Sequence, residues 1–246
     1  MIPVSCTIIA RNEADRIARA INSVRGLVDE VIVIDSGSTD GTQALCESLG
    51  ARVIHNDWVG YGPQKRFAED CARNDIILNI DADEWLSDDL RDELRSLFLQ
   101  PSLPAATYKM RVTIVYPHRE EPAPFADSTI CLRLYDKRQA RFANSLVHDN
   151  VPETADCLML RGRMLHKSFR RLADVVRKEL TYFELQATEK QKNRLGLLFR
   201  LMFEFPWQFF RYYILARHCF GGVYGFALSI VLAFMRFMRL AIFLGF

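Results

Sequence analysis

Four short apolar runs, each followed by a stretch of helical periodicity, fill the first hundred residues, and this alternation restricts the fold more than any other feature of the chain. Val4–Ala10 reads as the first strand, and Asn12 to about Arg25 as a helix with Ile17, Ile21 and Val24 on one face. Val31–Ile34 is a second strand, closed by the turn-rich Asp35-Ser36-Gly37-Ser38-Thr39-Asp40-Gly41. A helix runs on through Cys46 and Leu49, and Gly50 ends it. Arg52–Ile54 is the third strand, Pro63 to about Cys71 a helix with proline in its first turn, and Ile76–Ile80 the fourth strand. Another helix follows from Ser87 to about Leu99. Strands separated by helices in this order predict a parallel, doubly wound sheet with helices on both faces.

After Pro101 the alternation stops. Thr107–Val115 and Thr129–Tyr135 read as strands able to pair antiparallel, separated by the proline-rich segment 117–124, and Cys157–Leu165 as one more. From Phe169 the pattern is helical, with helices near 170–190 and 195–217 and an apolar one from Val223. The chain is therefore expected to divide into an α/β domain, 1–168, and a C-terminal amphipathic helical region, 169–246.

Charge divides the same way. Residues 1–160 carry 17 Lys/Arg against 25 Asp/Glu, a net of −8, whereas residues 161–246 carry 15 against five, a net of +10. The last third is thus expected to face something anionic, either nucleic acid or lipid. Its cations are interleaved with Leu, Phe and Met without a nucleic-acid motif, so no nucleic-acid partner is expected. Cys219–Met235 is uncharged but short for a span of about 20 apolar residues, and Arg236 and Arg239 interrupt its continuation. The aromatic, cationic stretch Phe205–Tyr213 suits a helical pair lying in a membrane interface. A buried helix packed on the sheet is the plainer alternative. Six scattered cysteines without a Cys-x-x-Cys pair, and no charged leader before the first strand, point to a reducing compartment.

The chemistry is expected at the carboxyl ends of the strands, where open α/β sheets bind ligands. Asp81-Ala82-Asp83-Glu84 follows the fourth strand. Two carboxylates one residue apart can hold a divalent cation against a diphosphate, since such an ion takes hard oxygen ligands and keeps positions open for phosphate oxygens. A solvated turn or a helix cap is the bland reading of the pair. Ala10-Arg11-Asn12-Glu13 and the 35–42 loop end the first two strands, and Val147-His148-Asp149 with His166 supplies a fourth group.

The segments Thr7-Ile8-Ile9-Ala10-Arg11-Asn12-Glu13, Val33–Thr42 and Asn79-Ile80-Asp81-Ala82-Asp83-Glu84 together resemble the family 2 glycosyltransferases of the GT-A fold. A weaker match through Arg133-Leu134-Tyr135, Val147-His148-Asp149 and His166 resembles the branch containing bacterial lipopolysaccharide inner-core β-1,4-glucosyltransferases. The resemblance implies that Ala10, Asn12, Glu13 and Asp35 line the nucleotide pocket and that Asp40 accepts a hydrogen bond from uracil. It further implies that Lys65 helps on the nucleotide side, that Asp81 faces the ribose or the metal shell, and that Asp83 ligates Mg2+ or Mn2+. His166 would complete that shell, because imidazole suits Mn2+.

A divalent cation would neutralise the departing diphosphate while a carboxylate takes the proton of the attacking hydroxyl, which inverts the sugar in one displacement. Asp149 is the candidate base, although the branch commonly has His-Glu here and Asp is one methylene shorter. Glu84 and Asp127 are alternatives. His148 would orient the acceptor. Arg133 and Arg138 are expected near a loop closing over the diphosphate, as arginine forks suit phosphate. A processive Gln-x-x-Arg-Trp signature is not found, which favours addition of one sugar.

The expected function is transfer of a hexose, glucose from UDP-glucose, to a lipid-linked saccharide such as the lipopolysaccharide inner core, at the cytoplasmic face of the inner membrane. A polyprenyl-phosphate or other envelope glycan acceptor is the alternative, and a non-catalytic membrane scaffold a second. A nucleotidyltransferase would need a Gly-rich basic loop after strand one, and an Asp-x-Asp phosphatase would carry its pair there. The oligomeric state is not set by these residues.

Overall fold

The computed structural model describes residues 1–145, 150–177 and 194–244, with side chains at 194–199 outside the description. It contains two compact units. The first comprises Met1–Thr113 and Ser128–His166, the second Ile114–Asp127 and Lys167–Phe246.

The first unit is built on an eight-stranded sheet in the order β3-β2-β1-β4-β7-β6-β8-β5. Its parallel part comprises β1 (Val4–Ala10), β2 (Glu30–Asp35), β3 (Arg52–His55) and β4 (Ile76–Asn79). The antiparallel extension comprises β5 (Glu84–Leu86), β6 (Thr107–Ile114), β7 (Ser128–Asp136) and β8 (Leu158–His166). Both faces of the parallel strands are apolar, as a doubly covered sheet requires. Val33 and Leu78 face one core with Val4, Cys6 and Ile8; Ile32, Ile34 and Ile77 face the other.

Helices α1 (Ile17–Val24), α2 (Thr42–Ser48), α3 (Tyr61–Cys71) and α4 (Asp88–Phe98) cover these faces. α1 buries Ile17, Ala20, Ile21 and Val24, the i, i+3, i+4, i+7 pattern of an amphipathic helix. It begins five residues later than the periodicity suggests. Asn12 has φ 56° and residues 14–16 form a turn, so the chain must bend off β1 before it can wind. α4 starts where expected: the Ser87 hydroxyl accepts from Leu90 N, and Asp88 and Asp89 occupy the first turn against the helix dipole.

α3 carries a buried anchor. Glu69 accepts hydrogen bonds from Tyr135 Oη (2.9 Å), Arg141 Nε (2.7 Å) and Phe142 N (3.0 Å), fully paired as a buried carboxylate must be. About two turns nearer its start, Gly62 N donates to Ser145 O at 3.1 Å. A Cβ at Gly62 would stand 2.2 Å from Ala143 O, so no side chain fits this seam.

β5 was not foreseen in the sequence, which runs from the Asp-x-Asp turn directly to α4. Three residues are too few to show periodicity, and the strand exists because β8 offers it a partner: Glu84 stands opposite His166, Trp85 opposite Leu165 and Leu86 opposite Met164. β4 also ends at Asn79, one residue early, and Ile80 enters the turn.

The second unit contains α5, described over 172–177, α6 (Arg194–Phe210), a π-helical turn at Arg211–Leu215, a 3-10 turn at His218–Gly221, and α7 (Gly222–Leu244). Segment 114–127 belongs to it, with Tyr116 and Ala123 in a core shared with Val175 and Leu228.

Candidate active site

Parallel order 3-2-1-4 aligns the carboxyl ends of four strands, and the strand order reverses at β1, where β2 lies on one side and β4 on the other. A crevice is expected at such a switch point. Three of the four sequence segments meet there.

Ala10 pairs in register with Asp35, and the loops beyond them interlock. Asn12 N donates to Ser38 Oγ at 2.8 Å, and Thr39 N donates to Asn12 Oδ1 at 2.8 Å. Glu13 N donates to Thr42 Oγ1 at 2.8 Å, and Ala14 N to Asp40 Oδ2 at 3.1 Å. Asp35 is fully buried and takes Gly37 N, Ser38 N, the Ser38 hydroxyl and the Gln43 amide. Burial pushes its carboxyl up, but these donors outweigh it and leave it below the usual range. Asp40 also lies low, chiefly through the Thr42 hydroxyl. Both aspartates thus shape the loop with their own oxygens.

The Asp-x-Asp turn is held by charge. Lys65 reaches out of α3 with its side chain buried and meets Asp81 Oδ1 at 2.8 Å. Arg133, buried in β7, forks to Asn79 Oδ1 (2.9 Å), Asp81 Oδ2 (3.0 Å) and Glu84 Oε1 (2.6 Å). Glu84 Oε2 closes the turn by accepting from Asp81 N at 2.9 Å. Asp81, between two cations, stays ionised well below the usual carboxylate range, whereas burial pushes Glu84 up.

Asp83 points to a different set. His166 Nε2 lies 3.3 Å from its Oδ2, as does Arg16 Nη1, and Arg16 also forks onto Glu13. Arg19 stacks over the Trp85 ring, 3.7 Å from its centroid, tying α1 to β5. Burial raises the Asp83 carboxyl, but the His166 hydrogen bond and the charges of His166 and Arg16 lower it further than burial lifts it. Burial likewise opposes protonation of His166, and the Asp83 bond with the charges of Asp83, Glu84 and Asp81 raises it above its ordinary value.

These opposite shifts have a pH consequence. Protonated His166 adds stability that is fully present below about pH 6.5 and lost as pH rises through its elevated folded pKa. Ionised Asp83 adds stability present above about pH 3.9 and lost as pH falls through its lowered one. In metal-free protein, His166 is expected to titrate above 6.5 by NMR and to move down in Asp83→Asn; an unshifted resonance in that variant would refute the pairing.

Several sequence expectations change here. Arg133 does not close over a diphosphate: it is buried behind the turn and orients Asp81. Arg138 pairs with Asp136 and Asp75 at the amino end of β4, the opposite edge of the sheet from the crevice. Glu84, an alternative base, has both oxygens engaged: Oε1 accepts from Arg133 and Oε2 from Asp81 N. His148 and Asp149 lie outside the described residues. Arg16 was overlooked; its position three residues after Glu13 at a helix start was the available signal.

Among the described residues no three His, Cys, Asp or Glu side chains converge as a ready-made metal cage. The donors still fit a divalent ion of the phosphate-bound kind. A carboxylate and an imidazole nitrogen converge within 3.3 Å, and two protein ligands leave the remaining positions to phosphate oxygens.

A carboxylate turn pinned by buried cations at the carboxyl edge of a parallel sheet, at its switch point, suits a phosphate-bearing ligand held with a divalent ion. The chain belongs to glycosyl transferase family 2, whose pattern it matches over residues 5–165. It is 43% identical to an uncharacterized glycosyltransferase of Rickettsia felis over 253 aligned positions, covering 98% of this chain and 89% of that one. It is 30% identical to the lipopolysaccharide core biosynthesis glycosyltransferase LpsC of Rhizobium meliloti, covering 86% of this chain and 81% of the other. Among solved structures it matches S. aureus TarS 1–349 at 15% identity and a TM-score of 0.49, over 78% of this chain and 67% of that one.

Proposed function

We propose that this glycosyltransferase moves one glucose from UDP-glucose, with inversion, onto a lipid-linked saccharide of the lipopolysaccharide core, working as a peripheral protein at the cytoplasmic face of the inner membrane. The observation that carries the reading is the split of the Asp-x-Asp turn: Asp81 is fixed by Lys65 and Arg133, while Asp83 faces His166 and Arg16. The name of the LpsC relative supports the acceptor class. Glucose and uridine rest on the motif resemblance.

In this reading the interlocked 12–14 and 38–42 loops receive the nucleoside, with Ala10 and Asp35 beneath it. Asp83 and His166 would hold Mg2+ or Mn2+, which supplies charge neutralisation for the leaving diphosphate. Lys65 and Arg133 keep Asp81 ionised and fixed, so the turn pays no reorganisation when the donor arrives. Arg16 lies beside Asp83, where a guanidinium steadies the same negative charge. The acceptor proton goes to Asp149 in this scheme, with His148 orienting the hydroxyl.

Calorimetric titration of UDP with and without Mn2+ tests the donor side. Binding that needs the metal is expected, and weaker binding of GDP and TDP. Failure of UDP to bind under any metal condition would overturn the uridine assignment.

A further inference from the structure

The second unit carries an apolar face whose geometry identifies its partner. On α6 and the following turn, Phe203, Trp207, Phe210 and Ile214 are all exposed and recur every three or four residues, a single stripe. On α7, Val223, Phe226, Ile230 and Phe234 form a second, with Val223 87% exposed. Soluble surfaces seldom place so many large apolar side chains in one array.

The stripes are in register. The Phe226 ring packs against Phe209 (5.7 Å) and Tyr213 (5.6 Å), and Leu201 packs with Leu240 and Leu244, so the two helices run antiparallel. Near the corner that register sets Phe210 level with Phe226 and Ile214 with Val223, and the two stripes continue along their helices from there. Arg236 reaches back toward the corner, its Nε donating to Tyr212 Oη at 3.1 Å, and Arg211 and Arg217 stand at the corner itself. On α7 the uncharged run from Gly222 to Met235 is 14 residues long, about 21 Å at the helical rise, before Arg236.

This length decides how the face is used. α7 is apolar and long enough to cross a membrane by composition, with a mean hydropathy of 2.0 over its best window. Yet a bilayer core is about 30 Å thick, so a crossing α7 would carry Arg236 and Arg239 into hydrocarbon. Lying flat lets the arginines stay at headgroup level with the aromatics just below it. Residues 205–246 contain four arginines and no Asp or Glu, which matches anionic headgroups.

The corner is preformed. Gly221 lies against Tyr116, where a Cβ would stand 2.3 Å from the ring, and Gly225 lies against His218 O at 1.9 Å by the same measure. Tyr116 Oη and His218 Nδ1 are hydrogen-bonded at 2.7 Å with both side chains buried. Docking a rigid face avoids the ordering entropy of a segment that must fold on contact.

We infer that the paired stripes of α6 and α7 are a monotopic docking face that lies in the plane of an anionic lipid leaflet. The inference deepens the proposed function and rests on its lipid-linked acceptor. The full chain would be floated with phosphatidylcholine vesicles and with vesicles containing phosphatidylglycerol, alongside Trp207→Ser/Phe210→Ser and Arg211→Gln/Arg217→Gln, and UDP binding would be measured on each. Wild type should float with the anionic vesicles, and brominated lipid should quench Trp207. Both variants should bind at least about tenfold more weakly while keeping UDP binding, which shows the fold intact. Wild type that binds UDP but floats with neither vesicle would overturn the face and leave the transferase standing. So would a dimer in light scattering that the Trp207→Ser/Phe210→Ser variant dissociates, since a second copy would then be the occupant. Flotation without any UDP binding would instead support the face and remove the donor assignment.

Discussion

Asp83→Asn is expected to lower kcat/KM for sugar transfer by about 10³-fold or more, the scale seen when a charge-stabilising group is removed from a reacting centre. Asn preserves the shape of the turn, and its amide oxygen can still accept from His166 and Arg16, which stand 3.3 Å from Asp83 Oδ2. What it removes is the formal charge that would hold a divalent cation. Thermal unfolding should therefore move by no more than about 2–4 °C. Metal-dependent UDP binding should disappear with the activity, measured by product formation and calorimetry on the same preparation. Retained transfer with unchanged metal dependence would refute the assignment of Asp83. Asp81→Asn should behave differently, since it unbalances Lys65 and Arg133 together and should lose stability as well as turnover.

The second large effect is on stability. Arg133→Met leaves Asp81 with Lys65 alone and Glu84 without a cation, inside a site where Glu84 is almost fully buried. Removing one partner of a buried ion pair costs about 3–5 kcal/mol because the remaining charge stays desolvated. With a urea dependence of about 2–3 kcal/mol per molar, the midpoint should fall by roughly 1–2 M. Glu84 already sits above its ordinary pKa through burial, and loss of Arg133 lifts it further. A carboxyl with a raised folded pKa favours the folded state when protonated, so the deficit should be larger at pH 8 than at pH 5. Glu84→Gln in the same background should restore much of the loss, since Gln keeps the oxygen that accepts from Asp81 N. A deficit that is independent of pH and unrelieved by Glu84→Gln would show that Arg133 acts through packing instead.

The parallel half of the sheet was legible because its signals are local. β1, β2 and β3 fall within a residue of their expected bounds, since a short run rich in β-branched residues between turn and cap residues identifies a strand without knowing its neighbours. The crevice followed, because parallel order alone puts the 10–13, 35–42 and 81–84 segments at one edge of the sheet. α4 was equally readable from Ser87 and the acidic first turn.

What the sequence by itself determined, then, is the β/α order and which residue types stand at the strand ends. Which charge meets which was decided by tertiary structure. β5 is a strand because β8 returns antiparallel beside it, and that pairing across some eighty residues is what brings His166 to Asp83. Arg133 looked like a phosphate ligand by chemistry, but antiparallel pairing of β7 on β4 points it into the sheet behind Asp81. Periodicity and capping are properties of neighbouring residues. The partner of a buried charge is chosen by strand register over long separations, and the low dielectric of the interior then makes that one choice costly to change.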